Sequence, residues 1–212
     1  VKTVLTGDGA DELLGGYGWW YDPLLGIGKS GNYLKEMTLR VLAKSFFRSY
    51  QSKANRVRYG RRYDTVKEAH LDRSTYFQNN EVNDLLNINY SKTRSYVFVE
   101  ENTVNEALNV DLQEYMAGDI LVKTDRASMA NSLELRSPFL DVDFASFCIS
   151  LPASLKVTDT ADKLILRKAY QDMWTKRIRS RNKQGFGAPV EQWLKKKSMI
   201  SLKDRYFQKH QK

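Results

Sequence analysis

The run Val1 to Thr6 sets Val and Leu among Thr and Lys and stops at Gly7, a pattern that predicts a short β-strand. After the bend Gly7 to Gly9, Asp11 to Leu14 reads as one helical turn closed by Gly15 and Gly16. From Tyr33 to Tyr50 the apolar residues Leu34, Met37, Val41, Leu42 and Phe46 recur near a 3.6-residue period, which predicts an amphipathic helix followed by an Arg-rich hinge. Thr65 to Leu86 reads as several short helices interrupted at Asn79 and Asn80. Glu106 to Met116 and Asp119 to Leu133 read as two helices separated by Gly118, and Pro138 and Pro152 bracket a further short one. Lys163 to Trp174 is again amphipathic, and Pro189 opens a helix carrying Trp193 and Leu194. One strand followed by helices is too little sheet for a self-standing α/β protein, so the missing strands are expected upstream.

Composition narrows the class. The chain has 212 residues, 42% hydrophobic and 28% charged, enough for a real core and within the size of one domain. No stretch approaches the roughly 20 apolar residues of a membrane span, so no membrane partner is expected. Cys148 is the single cysteine and lies in the apolar run Phe144 to Leu151. It reads as a buried thiol, which rules out an internal disulfide and suits a reducing cytoplasm. The chain opens on Val1 with no initiator Met and no leader, and is expected to be a piece of something longer.

The formal net charge is +9, concentrated around Lys176 to Lys183 and Lys195 to Lys197. A basic helical module for nucleic acid or an acidic partner explains that charge and nothing else. With no groove-reading or base-stacking motif beside it, a solvated helical face explains it better, and no nucleic-acid partner is expected.

Chemistry concentrates in Thr6-Gly7-Asp8-Gly9-Ala10-Asp11-Glu12, which packs three carboxylates into five residues at a strand-to-helix junction. Small residues let backbone amides approach phosphates, and carboxylates at a helix start can hold Mg²⁺, an oxygen-seeking ion that bridges to substrate phosphates. The same residues would also make an ordinary capped helix start, and composition does not decide between the two. Gly26-Ile27-Gly28-Lys29-Ser30 echoes a phosphate-binding P-loop, but Pro23 stands where that motif's first glycine belongs.

Thr6 to Tyr17, TGDGADELLGGY, resembles the acidic glycine-rich motif of the asparagine synthetases, the ATP-pyrophosphatase type of amide-forming enzyme. Asp119 to Asp141, DILVKTDRASMANSLELRSPFLD, resembles that family's long helix and following turn, and Arg181 to Leu194, RNKQGFGAPVEQWL, resembles its lysine loop. The three segments stand in the family's order, while Tyr21 to Asn105 matches loosely.

The resemblance implies a doubly wound, adenine-nucleotide-hydrolase-like α/β fold, of which this chain is the mostly helical C-terminal portion of a single domain. It implies ATP and Mg²⁺, with aspartate converted to asparagine through β-aspartyl-AMP and ammonia supplied from glutamine. Asp8 and Asp11 would hold the metal, Thr6, Gly7, Asp8, Gly9 and Lys183 the nucleotide, and Lys183 would neutralise charge on the phosphates, with Gly185 and Gly187 letting its loop close. Asp125, Arg126, Glu134 and Arg136 would face substrate or serve as structural ion pairs, and Asp141 would cap a helix.

Two family parts are missing from these residues: the Ser-Gly-Gly-x-Asp-Ser nucleotide loop and the glutaminase domain with its N-terminal cysteine. The glutaminase domain is therefore expected as a partner within a longer parent chain. Without these parts the piece is expected to be inactive alone, and a homodimer is compatible with the sequence. An amidotransferase acting on a cell-wall, polysaccharide or antibiotic precursor is the alternative, because the phosphate machinery would be the same.

Overall fold

The computed structural model describes residues 1–45, 48–89 and 102–179, and beyond these 181, 189, 192, 193, 195 and 201. The chain divides into two compact units, Val1–Arg181 and Asn182–Lys212. In the second, Trp193 donates its backbone N–H to the Pro189 carbonyl at 3.0 Å, one helical bond where Pro189 was expected to open a helix.

The first unit is mostly helical around a two-stranded parallel sheet, an α/β arrangement. Strand β1, Thr3–Leu5, pairs with β2, Glu134–Arg136, in the register Thr3 with Glu134 and Leu5 with Arg136. The sequence pattern predicts β1 and misses β2. Three residues reading Glu-Leu-Arg carry no strand signal of their own, and the ladder to β1 imposes the extended form: Glu134 N–H donates to Lys2 O and Thr6 N–H to Arg136 O, each at 2.8 Å.

Helix α1, Ala10–Leu14, follows β1 through the glycine turn. Gly9 enters it at φ 90°, a left-handed conformation glycine adopts without penalty, and Gly15 closes it at φ 72° with its N–H on Asp11 O. One face of this single turn is apolar, and Leu13 and Leu14 are each 1% exposed. They pack with Cys148 of α9, Val142–Ser150, and with Leu112, Leu140, Ile165 and Leu166. Burying each such leucine contributes about 1.5–3 kcal/mol, so packing rather than its length holds α1 in place. A second cluster joins Tyr21 of α2 (Gly18–Tyr21), Val66 and Ala69 of α5 (Val66–Ser74), and Val104, Ala107 and Leu108 of α7 (Val104–Asp111).

Several boundaries differ from the sequence reading. The amphipathic run ends as α3, Tyr33–Ser45, and the Arg-rich stretch is no hinge: it is helix α4, Arg48–Arg62. Arg is a good helix former, and α4 is fastened by Arg56, whose Nε donates to Asp22 at 2.9 Å. The apolar stripe of α3 stays open, with Leu34 and Val41 exposed. Asn79 begins a helix instead of interrupting one: α6 is Asn79–Leu86, and the Gln78 N–H donates to Glu81 at 2.8 Å in a capping box. Gly118 breaks nothing, because α7 runs into a π-helical stretch, Leu112–Ile120, and on into α8, Leu121–Met129. The wider π turns absorb the glycine without ending the helix. The amphipathic run after Lys163 shortens to α10, Leu164–Ala169, and α11, Lys176–Arg179, follows it.

Asp141 caps α9 as the sequence predicts, accepting the Phe144 N–H at 3.1 Å and the Asp143 N–H at 3.2 Å. The P-loop echo begins at the end of a 3₁₀ turn, Asp22–Gly26, and its Gly26 lies so close to α4 that an added Cβ would stand 2.0 Å from the Arg56 carbonyl oxygen, so that glycine is a packing feature. Among the described residues no helix is long and apolar enough to cross a membrane.

Cys148 is buried, and that burial pushes its thiol above the ordinary range. Fewer thiolates and no access both oppose reaction. In the folded protein Cys148 is expected to react with a disulfide reagent at pH 8 on the order of 100-fold more slowly than in urea, since it must wait for local opening. A native rate equal to the unfolded rate would show that the α1–α9–α10 cluster is not closed.

Candidate functional site

The carboxyl ends of the two parallel strands meet at the acidic turn. β1 leads into Thr6, β2 leads into Ser137, and the two hydroxyls share a hydrogen bond of 2.9 Å. Thr6 also donates to the Asp8 carboxylate at 2.9 Å. The ladder thus fixes Thr6, and Thr6 fixes Asp8. Gly7 beside them is exposed, and an added Cβ there would meet nothing within 4 Å, which leaves the backbone approachable.

Asp11 turns the other way. Its carboxylate pairs with Lys163 at 2.9 Å, and both side chains are largely shielded, at 14% and 22% exposure. The pair lies across Gly16: an added Cβ would stand 1.7 Å from Asp11 Oδ1 and 2.2 Å from Lys163 Cε. Close approach is therefore what requires glycine there. Lys163 sits at φ 47°, an uncommon conformation for a residue with a side chain.

Glu12 is buried and accepts the Tyr17 hydroxyl at 2.7 Å. Burial raises its carboxyl above the ordinary 4.5, against the opposing pull of the Tyr17 bond. Below it lies a second polar group. Tyr21 donates its hydroxyl to Asp111 at 2.6 Å, and the ring nitrogen Nε2 of His70 meets the other Asp111 oxygen at 2.8 Å. Tyr21 and His70 are fully buried. Burial, then the Asp111 charge, holds the Tyr21 phenol well above its ordinary 10.0.

Mg²⁺ asks for few protein oxygens, being held by one or two carboxylates plus substrate phosphates and water. Asp8, beside exposed Gly7, offers one such carboxylate, and that of Asp11 is engaged by Lys163. Among the described residues no group of three His, Cys, Asp or Glu that could hold a metal ion stands together.

Asp125 and Arg126 lie on exposed turns of α8. Among the described residues no ion pair joins them to Glu134 or Arg136, which instead pair with each other at 2.8 Å on the exposed strand β2. Of the structural ion pairs expected among these four residues, the described residues show Glu134 with Arg136. Lys183, with Gly185 and Gly187, lies outside the described residues. Lys163 and Ser137 escaped the sequence reading. Lys163 stands 152 positions from Asp11 (163 − 11), and no local pattern ties the two together. Ser137 falls inside the resembling segment, but its hydroxyl gains meaning only once β2 pairs with β1.

A family model described as asparagine synthase matches residues 1–212. Asparagine synthetase [glutamine-hydrolyzing] 1 of Bacillus subtilis (strain 168) is 32% identical over 205 residues, covering 92% of this chain and 32% of that protein. A putative asparagine synthetase [glutamine-hydrolyzing] of Mycobacterium bovis is 32% identical over 203 residues, covering 92% of this chain and 31% of its own length. Asparagine synthetase [glutamine-hydrolyzing] of Gallus gallus is 37% identical over 98 residues, 45% of this chain and 17% of that protein. The chain thus spans about a third of the length of the bacterial relatives it matches. No solved structure matches it.

Proposed function

The chain belongs to the asparagine synthase family, and from that premise we propose that the protein containing it forms an amide on the side-chain carboxylate of aspartate at the expense of Mg-ATP. The observation that carries the reading is the acidic turn at the carboxyl ends of β1 and β2, where parallel α/β folds place their ligands. When bound, Mg²⁺ would draw negative charge off the pyrophosphate leaving group.

This chain's residues act around that charge. Asp8, steadied by Thr6, and Asp11 would hold the metal. Lys163, delivered to Asp11 by the start of α10, would keep a cation beside the turn before substrate arrives and would stand within reach of added phosphate charge. Lys183 keeps the phosphate role that the resemblance implies. Exposed Gly7 would let backbone N–H groups face the phosphates. The acceptor carboxylate attacks the α-phosphorus, the bond to pyrophosphate breaks, and ammonia then displaces AMP from the acyl group. The names of the relatives point to glutamine as the ammonia source. A cytoplasmic location goes with such small-molecule chemistry.

The test is product analysis with the full-length protein, Mg-ATP and L-aspartate. AMP and pyrophosphate are expected in equal amounts, with a hydroxamate of aspartate when hydroxylamine replaces ammonia. Release of ADP and phosphate in their place would overturn the reading.

A further inference from the structure

The hydroxyls that join the two strand ends each have one hydrogen to give, and the geometry decides where each goes. Thr6 stands 2.9 Å from the Asp8 carboxylate and 2.9 Å from the Ser137 hydroxyl. An ionised carboxylate can only accept, so the Thr6 hydrogen goes to Asp8. Ser137 is then the donor in its bond to Thr6. A hydroxyl that accepts one hydrogen bond while giving another is polarised, and it gives the second more strongly.

The placement of Ser137 agrees with that direction. It precedes the 3₁₀ turn Pro138–Leu140, a position where a serine ordinarily caps with its side chain. Here the side chain makes no capping bond, and the Ser137 carbonyl accepts the Leu140 N–H at 2.9 Å. The hydroxyl is turned to Thr6 instead. Its backbone comes straight off the ladder, whose last bond runs from Thr6 N–H to Arg136 O. Asp8 has no such anchor of its own. It stands between Gly7 and Gly9, and space beside Gly7 is open, so neighbouring side chains do little to steer the carboxylate. Its direction depends on the hydrogen bond it accepts.

We propose that Ser137 is a positioning residue, which aims the Asp8 carboxylate through Thr6. The proposal rests on the reading of Asp8 as a metal-holding group and adds what orients it. Groups that orient a metal ligand without touching the ion commonly change metal affinity by about 10–100-fold when removed.

Metal binding without turnover tests the idea. The full-length protein is titrated with Mn²⁺ beside the α,β-methylene analogue of ATP, which cannot release pyrophosphate, and free Mn²⁺ is read by electron paramagnetic resonance. Ser137→Ala should weaken Mn²⁺ by about ten-fold. Ser137→Thr should restore binding, since it keeps the hydroxyl at φ −112° and ψ 91°, extended backbone that suits a β-branched residue. Thr6→Val should match Ser137→Ala, and the double variant should bind no more weakly than Thr6→Val, because Ser137 acts only through Thr6. Unchanged affinity in Ser137→Ala beside a lowered thermal midpoint would make the hydroxyl a tie between strands and overturn the proposal. Losses that add in the double variant would overturn it too. Asp8→Asn tells the two failures apart. Weakened Mn²⁺ in Asp8→Asn with none in Ser137→Ala defeats the proposal alone, whereas wild-type binding in Asp8→Asn defeats the metal reading of the turn and the proposal with it.

Discussion

Asp8→Asn in the full-length protein is expected to slow aspartate-dependent pyrophosphate release by about 10²–10³-fold, the usual effect of removing one group that stabilises transition-state charge. Its thermal midpoint should stay in place. Asp8 is half-buried on a glycine turn, and its hydrogen bond comes from the Thr6 hydroxyl, which an Asn oxygen can still accept. The loss should be partly recovered by raising Mg²⁺, because the neutral amide weakens metal binding more than it disturbs the loop. Asp11→Asn should show a comparable kinetic loss and a lower midpoint as well. That substitution leaves the Lys163 ammonium, 22% exposed, without its charged partner, at a cost of about 1–3 kcal/mol. Rate and stability are therefore expected to separate the two carboxylates: Asp8→Asn should change the rate alone, and Asp11→Asn should also loosen α10 from α1. Wild-type rates in Asp8→Asn would remove the acidic turn from the chemistry.

That contrast was half legible in the sequence. The turn itself stands out, because glycines and carboxylates at a strand end are a local pattern, although its composition fits a capped helix start as well. Lys163 is not local, and its position depends on the path of the chain from α9 to α10. Strand β1 was readable from Val4 and Leu5, whereas Glu134 to Arg136 became a strand through pairing and not through propensity. The cap at Asp141 was readable for the opposite reason, since the bonds it makes reach two and three residues ahead. Gly118 misled because glycine in isolation signals a stop. Within a helix held on its neighbours by Val110 and Met116, both buried, its cost of about 1 kcal/mol is easily carried. Asn79 and Asn80 misled likewise, because the helix signal came from the pair Gln78 and Glu81 around them.

The largest effect on stability is expected at Asp111, a residue that sequence reasoning did not single out. Its carboxylate takes the Tyr21 hydroxyl on one oxygen and the His70 ring on the other, and so ties α2, α5 and α7 together from inside the core. Asp111→Ala leaves two fully buried polar groups without an acceptor. The expected cost is about 3–5 kcal/mol, a large part of the 5–15 kcal/mol that holds a typical domain together. Tyr21→Phe removes one donor and keeps the ring in its packing, so it should cost about 1 kcal/mol. Urea unfolding of the full-length proteins, followed by far-ultraviolet circular dichroism, gives both numbers. Because Tyr21 is itself one of the two partners of Asp111, the effects cannot add: in the double variant Tyr21→Phe should cost little once Asp111 is gone. If Asp111→Ala is no less stable than Tyr21→Phe, the buried triad is not what joins the three helices, and their apolar contacts through Val66, Ala69 and Leu108 carry that task unaided.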